Sequence, residues 1–585
     1  MSYIEEYHKW LSLPSLTEQQ RLELISIEND TKELEARFGS MLSFGTAGLR
    51  GKMKLGCNAM NVYTVAQATQ GLAEFIISQG ASDRAVAIAF DSRNNSALFA
   101  HTAASVLAGN GIKVYIFDDL RPSPELSFAL RYYGCIAGIN ITASHNPKEY
   151  NGYKAYWEDG AQLAPDQAER IAAHMSAIDI ATGISSRPFD SAVSAGLITI
   201  IGSETDEKYL DAVIGQVIDR DVITAAADKL SIVYTPLHGA GYRLVPEIIR
   251  RIGIKHLYMV PEQSTPDGNF PTTPKPNPEY PQVFSYGIPL ADRIGCDLII
   301  ATDPDADRVG IMVRGRDGKF VTLNGNQTGS LLLDYIITAR RERGTLPENA
   351  AAIKTGKMPP EPYAVKSIVT TELMSKICRE GGVELYNVLT GFKYIGEVIK
   401  KKQAEGHGSF IFGAEESYGY LKGTYARDKD AVVATMLICE MTAYYKMRGM
   451  TLAEALEALY DKYGYSLERT QEIILDDYTG HEQMQHIMTS LRSPDIKEIA
   501  GVSVATVSDY LSGKVCKMAD GTETGTGLPS SDVLRFELEN GDVIIVRPSG
   551  TEPKVKIYYL IAAEDPDNAQ KKLAEYQGAV EKYTK

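Results

Sequence analysis

One short segment places a serine and a histidine side by side after an apolar run. Residues 142–147 spell Thr-Ala-Ser-His-Asn-Pro and follow the largely apolar stretch 136–141. Such a stretch predicts a buried strand, and active groups of α/β proteins lie at the carboxyl ends of strands. The Gly-x-Ser-x-Gly elbow of serine hydrolases is absent. Because Ser144 follows a predicted strand, it is a candidate nucleophile. A Ser/Asn/Pro turn without chemistry is the alternative.

Three aspartates at alternate positions follow a second apolar stretch. Asp303, Asp305 and Asp307 would repel one another unless a divalent cation neutralised them, which predicts a hard, oxygen-liganded metal, with Mg²⁺ as the first choice. A calcium-binding EF-hand loop would need Gly and Glu where Arg308 and Arg314 stand. A solvated acidic turn is the alternative, although Arg308 beside the carboxylates indicates that a phosphate also approaches.

A glycine-bordered loop carries the adjacent carboxylates Glu415 and Glu416, followed by Ser417. Carboxylates accept hydrogen bonds from sugar hydroxyls, so the loop is a candidate for sugar recognition. Arg427 and Lys429 follow shortly afterwards in the segment Arg-Asp-Lys-Asp. The signal is weak by itself, because a surface turn with two glutamates has the same pattern.

The segment 547–554 spells Arg-Pro-Ser-Gly-Thr-Glu-Pro-Lys between two apolar strands. Two hydroxyls, the backbone amides around Gly550 and the side chain of Arg547 form a cradle for an anion, and Lys554 adds positive charge. No Walker A sequence or G-x-G-x-x-G fingerprint is present, so a nucleotide P-loop or a dinucleotide site is not supported.

A strand–helix–strand pattern recurs along the chain and must position these loops. It is visible over 85–117 and 230–260, and more faintly over 367–388, where the first strand is predicted at 367–371. Strands alternating with helices at this spacing predict largely parallel sheets with right-handed crossovers. The first 40 residues are predicted to form a helical extension, and the last hundred or so an antiparallel α+β domain.

These patterns predict an α/β protein with three related α/β domains, whose sheets are mixed and largely parallel, and a C-terminal α+β domain. The predicted boundaries are 1–205 for the helical extension and the serine loop, 206–325 for the aspartate loop, 326–465 for the sugar loop and 466–585 for the anion cradle.

Composition narrows the class of protein. The chain has 585 residues, of which 44% are hydrophobic, and a formal net charge of −15. This acidic balance argues against nucleic acid or an anionic membrane as the main partner. No stretch approaches the roughly 18 apolar residues of a membrane span, and charges among residues 1–13 do not suit a secretory signal. Six scattered cysteines are expected to be free thiols, so we predict a cytoplasmic protein.

Together the four loops resemble those of the α-D-phosphohexomutase family, in particular its longer, phosphoglucomutase- and phosphopentomutase-like branch, and the resemblance covers nearly the whole chain. The segments 44–50, 151–154 and 390–393 resemble further active-site stretches of that family. The resemblance implies four domains around a central cleft. It implies catalytic roles for Ser144, Lys154, Arg50 and His145, metal ligation by Ser144, Asp303, Asp305 and Asp307, and substrate binding by Arg308, Thr390, Gly391, Lys393, Glu415, Glu416, Ser417, Arg427, Lys429, Arg547, Ser549, Gly550, Thr551 and Lys554.

The activity that the resemblance implies is an intramolecular phosphotransferase that uses Mg²⁺. Phosphorylated Ser144 would interconvert glucose 1-phosphate and glucose 6-phosphate through glucose 1,6-bisphosphate, which is both intermediate and activator. Lys154, with a pKa lowered toward neutrality, is expected to be the general base, and His145 is the alternative. The shorter family members that accept mannose have a histidine in the sugar loop, where this chain has Tyr418 and Tyr420.

Other functions remain open on the sequence. A phosphopentomutase acting on ribose or deoxyribose phosphates and a phosphomannomutase would use the same loops. A sugar-bisphosphate synthase would need an external phosphoryl donor, and a non-catalytic sugar-phosphate-binding protein would not need Ser144. The expected partners are small-molecule sugar phosphates, with the chain as a monomer or dimer.

Overall fold

The computed structural model describes residues 2–45, 48–346, 361–406, 408–475, 480–493, 496–549 and 554–584. They form two compact units. The first unit comprises Met1–Asn324, Gly396–Gly406 and Ser417–Thr451, and the second comprises Gly325–Ile395, His407–Glu416 and Leu452–Lys585.

The chain begins with three short helices, α1 (Tyr3–Leu11), α2 (Glu18–Ser26) and α3 (Thr31–Phe38). Ser2 and Thr17 cap the first two helices through reciprocal side-chain and backbone hydrogen bonds, which satisfy amides that a helix leaves unpaired. Trp10 is fully buried and packs edge-on against the rings of Phe38 and Tyr63. The predicted helical extension is thus confirmed, and it is anchored by an aromatic core.

The first sheet carries the serine loop. Its strands are β1 (Gly48–Lys52), β2 (Val86–Phe90), β3 (Val114–Phe117), β4 (Ala137–Ile141), β5 (Tyr150–Trp157) and β6 (Ile198–Ile201), and its helices are α4 (Val62–Ser78), α5 (Ser96–Gly109), α6 (Ser123–Tyr132), α7 (Pro165–Ala177) and α8 (Phe189–Ser194). The strand order is β1-β5-β4-β2-β3-β6. The last four of these are mutually parallel, and β1 and β5 are antiparallel additions at one side.

The second sheet carries the aspartate loop. Its strands are β7 (Ser231–Thr235), β8 (His256–Met259), β9 (Leu298–Thr302), β10 (Val309–Arg314) and β11 (Phe320–Leu323), and the helices nearby are α9 (Ser203–Ile214), α10 (Arg220–Ala226), α11 (Gly241–Arg251) and α12 (Gly287–Ile294). Strands β8, β7 and β9 are parallel, and β10 and β11 continue the sheet in antiparallel fashion. Short 3₁₀ turns at Pro261–Gln263 and Pro281–Phe284 bound a proline-rich loop.

The third sheet lies in the second unit. Its region contains α13 (Gly325–Glu342), β12 (Pro362–Ser367), α14 (Leu373–Gly381), β13 (Glu384–Val388), α15 (Phe392–Glu405, which continues into the first unit), β14 (Ser409–Glu415) and α17 (Leu452–Tyr463). Both β13 and β14 pair with β12 in parallel. The first unit contributes β15 (Gly419–Leu421) and α16 (Ala431–Met447) to this stretch of the sequence.

The strand predicted at 367–371 was wrong. The strand ends at Ser367, and the following residues form a turn closed by the Thr370 amide donating to the Ser367 carbonyl at 3.0 Å. Ile368 and Val369 are apolar for another reason, because they pack in a cluster with Val543 and other residues of the C-terminal sheet. Residues that are apolar because they are buried in tertiary packing thus gave the same pattern as a strand.

The C-terminal region is an antiparallel sheet covered by helices. Its elements are β16 (Tyr465–Ile474), α18 (Gly480–Leu491), β17 (Glu498–Ile499), β18 (Val502–Asp509), β19 (Lys514–Lys517), β20 (Glu523–Gly525), β21 (Leu534–Leu538), β22 (Val543–Pro548), β23 (Lys554–Ala563) and α19 (Pro566–Thr584). The order is β16-β23-β22-β21-β18-β19-β20. The predicted fold class is confirmed, since parallel strand–helix–strand units recur in three sheets and an α+β region ends the chain. None of the described helices is long and apolar enough to cross a lipid bilayer.

Candidate active site

Ser144 lies in a tight loop directly after β4 and is almost fully buried. Its φ of 52° is left-handed, which is uncommon for a residue with a side chain. Its Oγ donates a hydrogen bond to Asp303 Oδ2 at 2.9 Å and lies 3.1 Å from His145 Nδ1. The fold therefore brings the serine loop of the first sheet to the aspartate loop of the second.

Asp303, Asp305 and Asp307 offer carboxylate oxygens that all lie within 4.8 Å of one another, and all three residues are buried. The buried Oδ1 atoms of Asp305 and Asp307 find no hydrogen-bond partner among the described residues. A buried carboxylate oxygen without a donor is costly, and a cluster of such oxygens is the ligand set that a hard cation prefers. The residues present therefore fit a divalent metal such as Mg²⁺.

Two lysines balance this charge. Lys154, on β5, donates to Asp305 Oδ2 at 2.6 Å and to Asp307 Oδ2 at 3.1 Å, and Lys429 Nζ lies 3.1 Å from Asp307 Oδ2. Burial opposes ionisation of Asp307, but Lys154, Lys429 and Arg308 outweigh it and hold its pKa below the usual range. In Asp303, by contrast, burial and the two neighbouring aspartates raise the pKa well above its usual value.

The expected lowering of the Lys154 pKa is corrected by the structure. Burial alone would lower it, but Asp305, Asp307 and Asp428 surround the ammonium group and raise its pKa above the ordinary value. The expectation counted neighbouring cations and desolvation and missed that Lys154 reaches the aspartates directly. With these ion pairs in place, Lys154 is protonated at neutral pH.

His145 lies beside the serine, and Arg308 and Arg50 are close enough to act on the charge of its ring. Desolvation, followed by the positive charges of Arg308 and Arg50, holds the pKa of His145 well below its ordinary value. Arg50, on β1, donates to Asn146 Oδ1 at 3.1 Å, and Arg308 pairs with Glu279 Oε1 at 2.7 Å. His145 is therefore neutral at pH 7.

Arg427, which was predicted to bind substrate, lies in the loop before Lys429. It is 2% exposed, and its guanidinium donates to the carbonyl oxygens of Thr424 and Ala426, at 2.5 and 2.9 Å. It also donates to Gln403 Oε1 on α15, so Arg427 ties the loop before Lys429 to that helix. The neighbouring Asp428, which the sequence analysis did not select, accepts hydrogen bonds from Tyr156 and Gln162 and contacts Lys429.

The predicted sugar loop ends β14 in the second unit. Glu415 Oε1 accepts a hydrogen bond from the Gly391 amide at 2.7 Å, and Glu416 Oε2 accepts from Ser367 Oγ at 3.1 Å. Gly391 has a φ of 119°, a conformation that favours glycine. Of the flanking residues, Thr390 precedes α15, Lys393 lies in its first turn over the Tyr394 ring, and Ser417 begins the next segment of the first unit.

The predicted anion cradle joins β22 to β23, also in the second unit. Arg547 lies near the end of β22, and the Ser549 amide donates to the Lys554 carbonyl at 2.8 Å. Lys554 Nζ is 3.8 Å from Glu472 Oε1. Gly550 and Thr551 lie outside the described residues, as do Thr46 and Ala47 of the segment before Arg50.

A buried ion pair behind the serine loop escaped the sequence analysis. Asp91 accepts a hydrogen bond from Thr142 Oγ1 at 2.6 Å and forms an ion pair with Arg93 at 3.2 Å. The side chains of Asp91 and Arg93 are both fully buried. Arg93 in turn donates to four backbone carbonyls of the loop, those of Ser144, Asn146, Pro147 and Tyr150. The sequence did contain a signal for this pair. The triplet Asp-Ser-Arg follows β2, and β2 is the parallel neighbour of β4, which precedes the serine loop.

Family models for phosphoglucomutase/phosphomannomutase match the chain in four parts: α/β/α domain I over residues 41–181, domain II over 207–318, domain III over 324–463 and the C-terminal domain over 492–574. The chain therefore belongs to the phosphoglucomutase/phosphomannomutase family. The resemblance drawn from the loops and the expectation of an isomerase are both confirmed.

Particular relatives extend this result. A phosphoglucomutase of Staphylococcus saprophyticus is 38% identical over 92% of this chain and 93% of its own length, and one of Staphylococcus aureus is 36% identical over 93% and 94%. Among solved structures, parafusin (a phosphoglucomutase) from Paramecium in its open form has a TM-score of 0.68 at 17% identity, covering 93% of this chain and 95% of that one. A family protein from Burkholderia thailandensis has a TM-score of 0.64 at 17% identity, covering 93% and 98%. These structures share the fold.

Asp91→Asn should destabilise the first unit. Burial raises the pKa of Asp91 and lowers that of Arg93, so each depends on the other for its charge. Removing one partner leaves a buried charge uncompensated, and we expect a loss of about 3–5 kcal/mol in the free energy of unfolding. Urea unfolding followed by the fluorescence of Trp10 and Trp157, the two tryptophans of the chain, measures this loss.

The matched control is Asp228→Asn, which removes a carboxylate from an exposed ion pair with Lys255 in the same unit. Its unfolding midpoint should stay at the wild-type value. An Asp91→Asn variant as stable as this control would contradict a structural role for the buried pair.

Proposed function

We propose that the chain is a phosphoglucomutase that interconverts α-D-glucose 1-phosphate and glucose 6-phosphate through a phosphoserine and glucose 1,6-bisphosphate. The observation that carries the proposal is the 2.9 Å contact between Ser144 Oγ and Asp303 in a buried cluster of three aspartates. Relatives named phosphoglucomutase, which align over nearly the whole chain, support the choice of glucose phosphates.

The reaction that we propose has two balanced transfers. The bond between phosphorus and Ser144 Oγ breaks while the free hydroxyl oxygen of the sugar monophosphate bonds to phosphorus, and the hydroxyl proton passes to a base. The bisphosphate then turns over, and its other phosphoryl group returns to Ser144 as that sugar oxygen regains a proton. A serine hydroxyl is a weak nucleophile, so the resting enzyme stores the phosphoryl group on Ser144.

The metal ligands in this proposal are Asp303, Asp305 and Asp307, together with an oxygen on Ser144. Mg²⁺ held there would neutralise the carboxylates and the transferring phosphoryl oxygens, which would also weaken the hold of the carboxylates on the Lys154 proton. Arg50 and Arg308 add positive charge beside the serine, where charge develops during transfer.

For the base we propose Lys154, whose ammonium group already lies beside the reacting loop. Its ability to release and accept a proton depends on how far the charge of Asp305 and Asp307 is neutralised, because these carboxylates raise its pKa. His145 is the alternative, since it is neutral at pH 7 and lies 3.1 Å from Ser144 Oγ.

Further loops of the chain are proposed for substrate recognition. In the second unit we propose that Glu415 and Glu416 accept hydrogen bonds from sugar hydroxyls. The other proposed substrate contacts are Ser417, Lys429, Thr390, Gly391, Lys393 and the phosphate cradle of Arg547, Ser549, Gly550, Thr551 and Lys554. Arg427 is proposed to position the loop of Lys429. The same proposal includes sugar phosphates as the partners, a cytoplasmic location, and a monomer or dimer.

The first test compares glucose 1-phosphate, mannose 1-phosphate and ribose 1-phosphate by kcat/KM, with Mg²⁺ and a trace of glucose 1,6-bisphosphate. We expect glucose 1-phosphate to be preferred and Ser144→Ala to lower kcat more than about 10⁴-fold, as removal of a nucleophile does in other enzymes. Ser176→Ala, an exposed serine in the same unit, is the control and should keep full activity.

Preference for ribose 1-phosphate would make the chain a phosphopentomutase, and preference for mannose 1-phosphate a phosphomannomutase, with the serine chemistry retained. Turnover that survives Ser144→Ala would contradict the phosphoserine mechanism.

The second test concerns the metal. At a Mg²⁺ concentration about 100-fold above Kd, binding to the folded state should stabilise the wild type by about 2.7 kcal/mol. Asp305→Asn should abolish this Mg²⁺-dependent rise in Tm, because it removes a carboxylate whose Oδ1 has no other partner among the described residues. The control Asp292→Asn, at an exposed carboxylate paired with Arg314, should retain the full rise.

A further inference from the structure

Residues 264–279 form a long proline-rich segment between elements of the second sheet. The segment has no helix or strand, yet several of its residues are buried. Phe270 is 1% exposed, and Thr273 and Asn277 are 4% and 3% exposed. Surface loops that only connect elements are seldom buried in this way. The burial indicates that the segment packs against other residues of the first unit.

The segment packs against the residues that hold the serine loop. The Phe270 ring lies 5.0 Å from the guanidinium carbon of Arg93, within the range of a cation–π contact. Phe270 has a left-handed φ of 46°, an unfavourable conformation for an aromatic residue that is kept here. Beside it, Asn269 Oδ1 accepts a hydrogen bond from Asn94 at 3.1 Å. A Cβ on Gly268 would lie 2.4 Å from the Asn94 nitrogen, so glycine permits this close approach.

A second contact ties the segment to the loop after β7. The His238 ring bridges the segment, with Nδ1 3.0 Å from the Thr265 carbonyl and Nε2 2.9 Å from Thr272 Oγ1. The same loop touches the aspartate loop, because the Ala240 amide donates to the Pro304 carbonyl at 2.8 Å. The segment thus contacts the loop after β7, which itself contacts the aspartate loop, and it also contacts Arg93.

We infer that Phe270 is a positioning residue for Ser144, which it reaches through Arg93. Arg93 holds the loop 144–150 by four carbonyl contacts, and the Phe270 ring covers its guanidinium face. This inference rests on the proposed function, because positioning matters only if Ser144 carries the phosphoryl group.

The physical consequence is a fixed direction of Ser144 Oγ. In-line phosphoryl transfer is sensitive to displacements of about 1 Å, which can cost about 100-fold in rate. A guanidinium that can rock away from the carbonyls would let the left-handed turn at Ser144 relax. Loosening of this kind should slow the transfer without weakening the residues that bind the distal phosphate.

The test uses Phe270→Leu, which keeps an apolar side chain and removes the aromatic face, and Arg93→Lys, which keeps the charge and loses the fork of donors. We expect kcat to fall about tenfold in Phe270→Leu and about 100-fold in Arg93→Lys, with KM for glucose 1-phosphate within about threefold of wild type. Amide hydrogen exchange across residues 142–150 should become faster in both variants.

Two controls separate this effect from general loss of packing. Phe320→Leu removes another aromatic ring from an arginine, since Arg314 lies 4.2 Å from the Phe320 ring, and Phe284→Leu removes a fully buried ring from the second-sheet core. Both should keep wild-type kcat and wild-type exchange in residues 142–150.

The outcomes are distinguishable. Full kcat in Phe270→Leu, or faster exchange at 142–150 in the controls as well, would overturn the inference, and if Arg93→Lys does not fold, Phe270→Leu still decides it. If the wild type turned over no sugar phosphate, the proposed function would fail. In that case faster exchange confined to Phe270→Leu and Arg93→Lys would still support the contact as a clamp on the Ser144 loop, and unchanged exchange would overturn it.

Discussion

Three aspartate carboxylates that are buried and lie within 4.8 Å of one another repel strongly, because a protein interior screens charge poorly. The first unit places two lysines beside them and leaves the buried Oδ1 atoms of Asp305 and Asp307 without a hydrogen-bond donor among the described residues. Lys154 comes from β5 and Lys429 from a loop nearly 300 residues later in the sequence. Balancing this cluster therefore requires distant parts of the chain to meet at one point, which is also where Ser144 lies.

The same constraint explains why the serine loop is held so firmly. In the proposed function, the Ser144 oxygen must keep its direction toward the charge cluster, yet Ser144 adopts a strained left-handed conformation. A buried arginine satisfies the carbonyls of the loop, and its own charge is balanced by Asp91. The strain is thus held by contacts from neighbouring strand ends of the first sheet, and the proline-rich segment adds an aromatic cover.

Much of the fold could be predicted from the sequence, because strand periodicity is a local property. Loop composition selected Ser144 and the three aspartates, and the family resemblance selected Lys154; these five residues do meet in the structure. The strand predicted at 367–371 failed because Ile368 and Val369 are apolar for tertiary packing. Arg93, Phe270 and the raised pKa of Lys154 depend on contacts between residues far apart in sequence, which periodicity does not contain. The domain boundaries and the roles of the site residues stay predictions.

The most direct test of the central claim is a single-turnover experiment on the phosphorylated enzyme. Phosphorylated wild type is mixed rapidly with excess glucose 1-phosphate and quenched, and the mass of the peptide containing Ser144 is followed together with the sugar phosphates. The account predicts that this peptide loses one phosphoryl group in step with the appearance of glucose 1,6-bisphosphate. Formation of glucose 6-phosphate while Ser144 never carries or loses a phosphoryl group would contradict it.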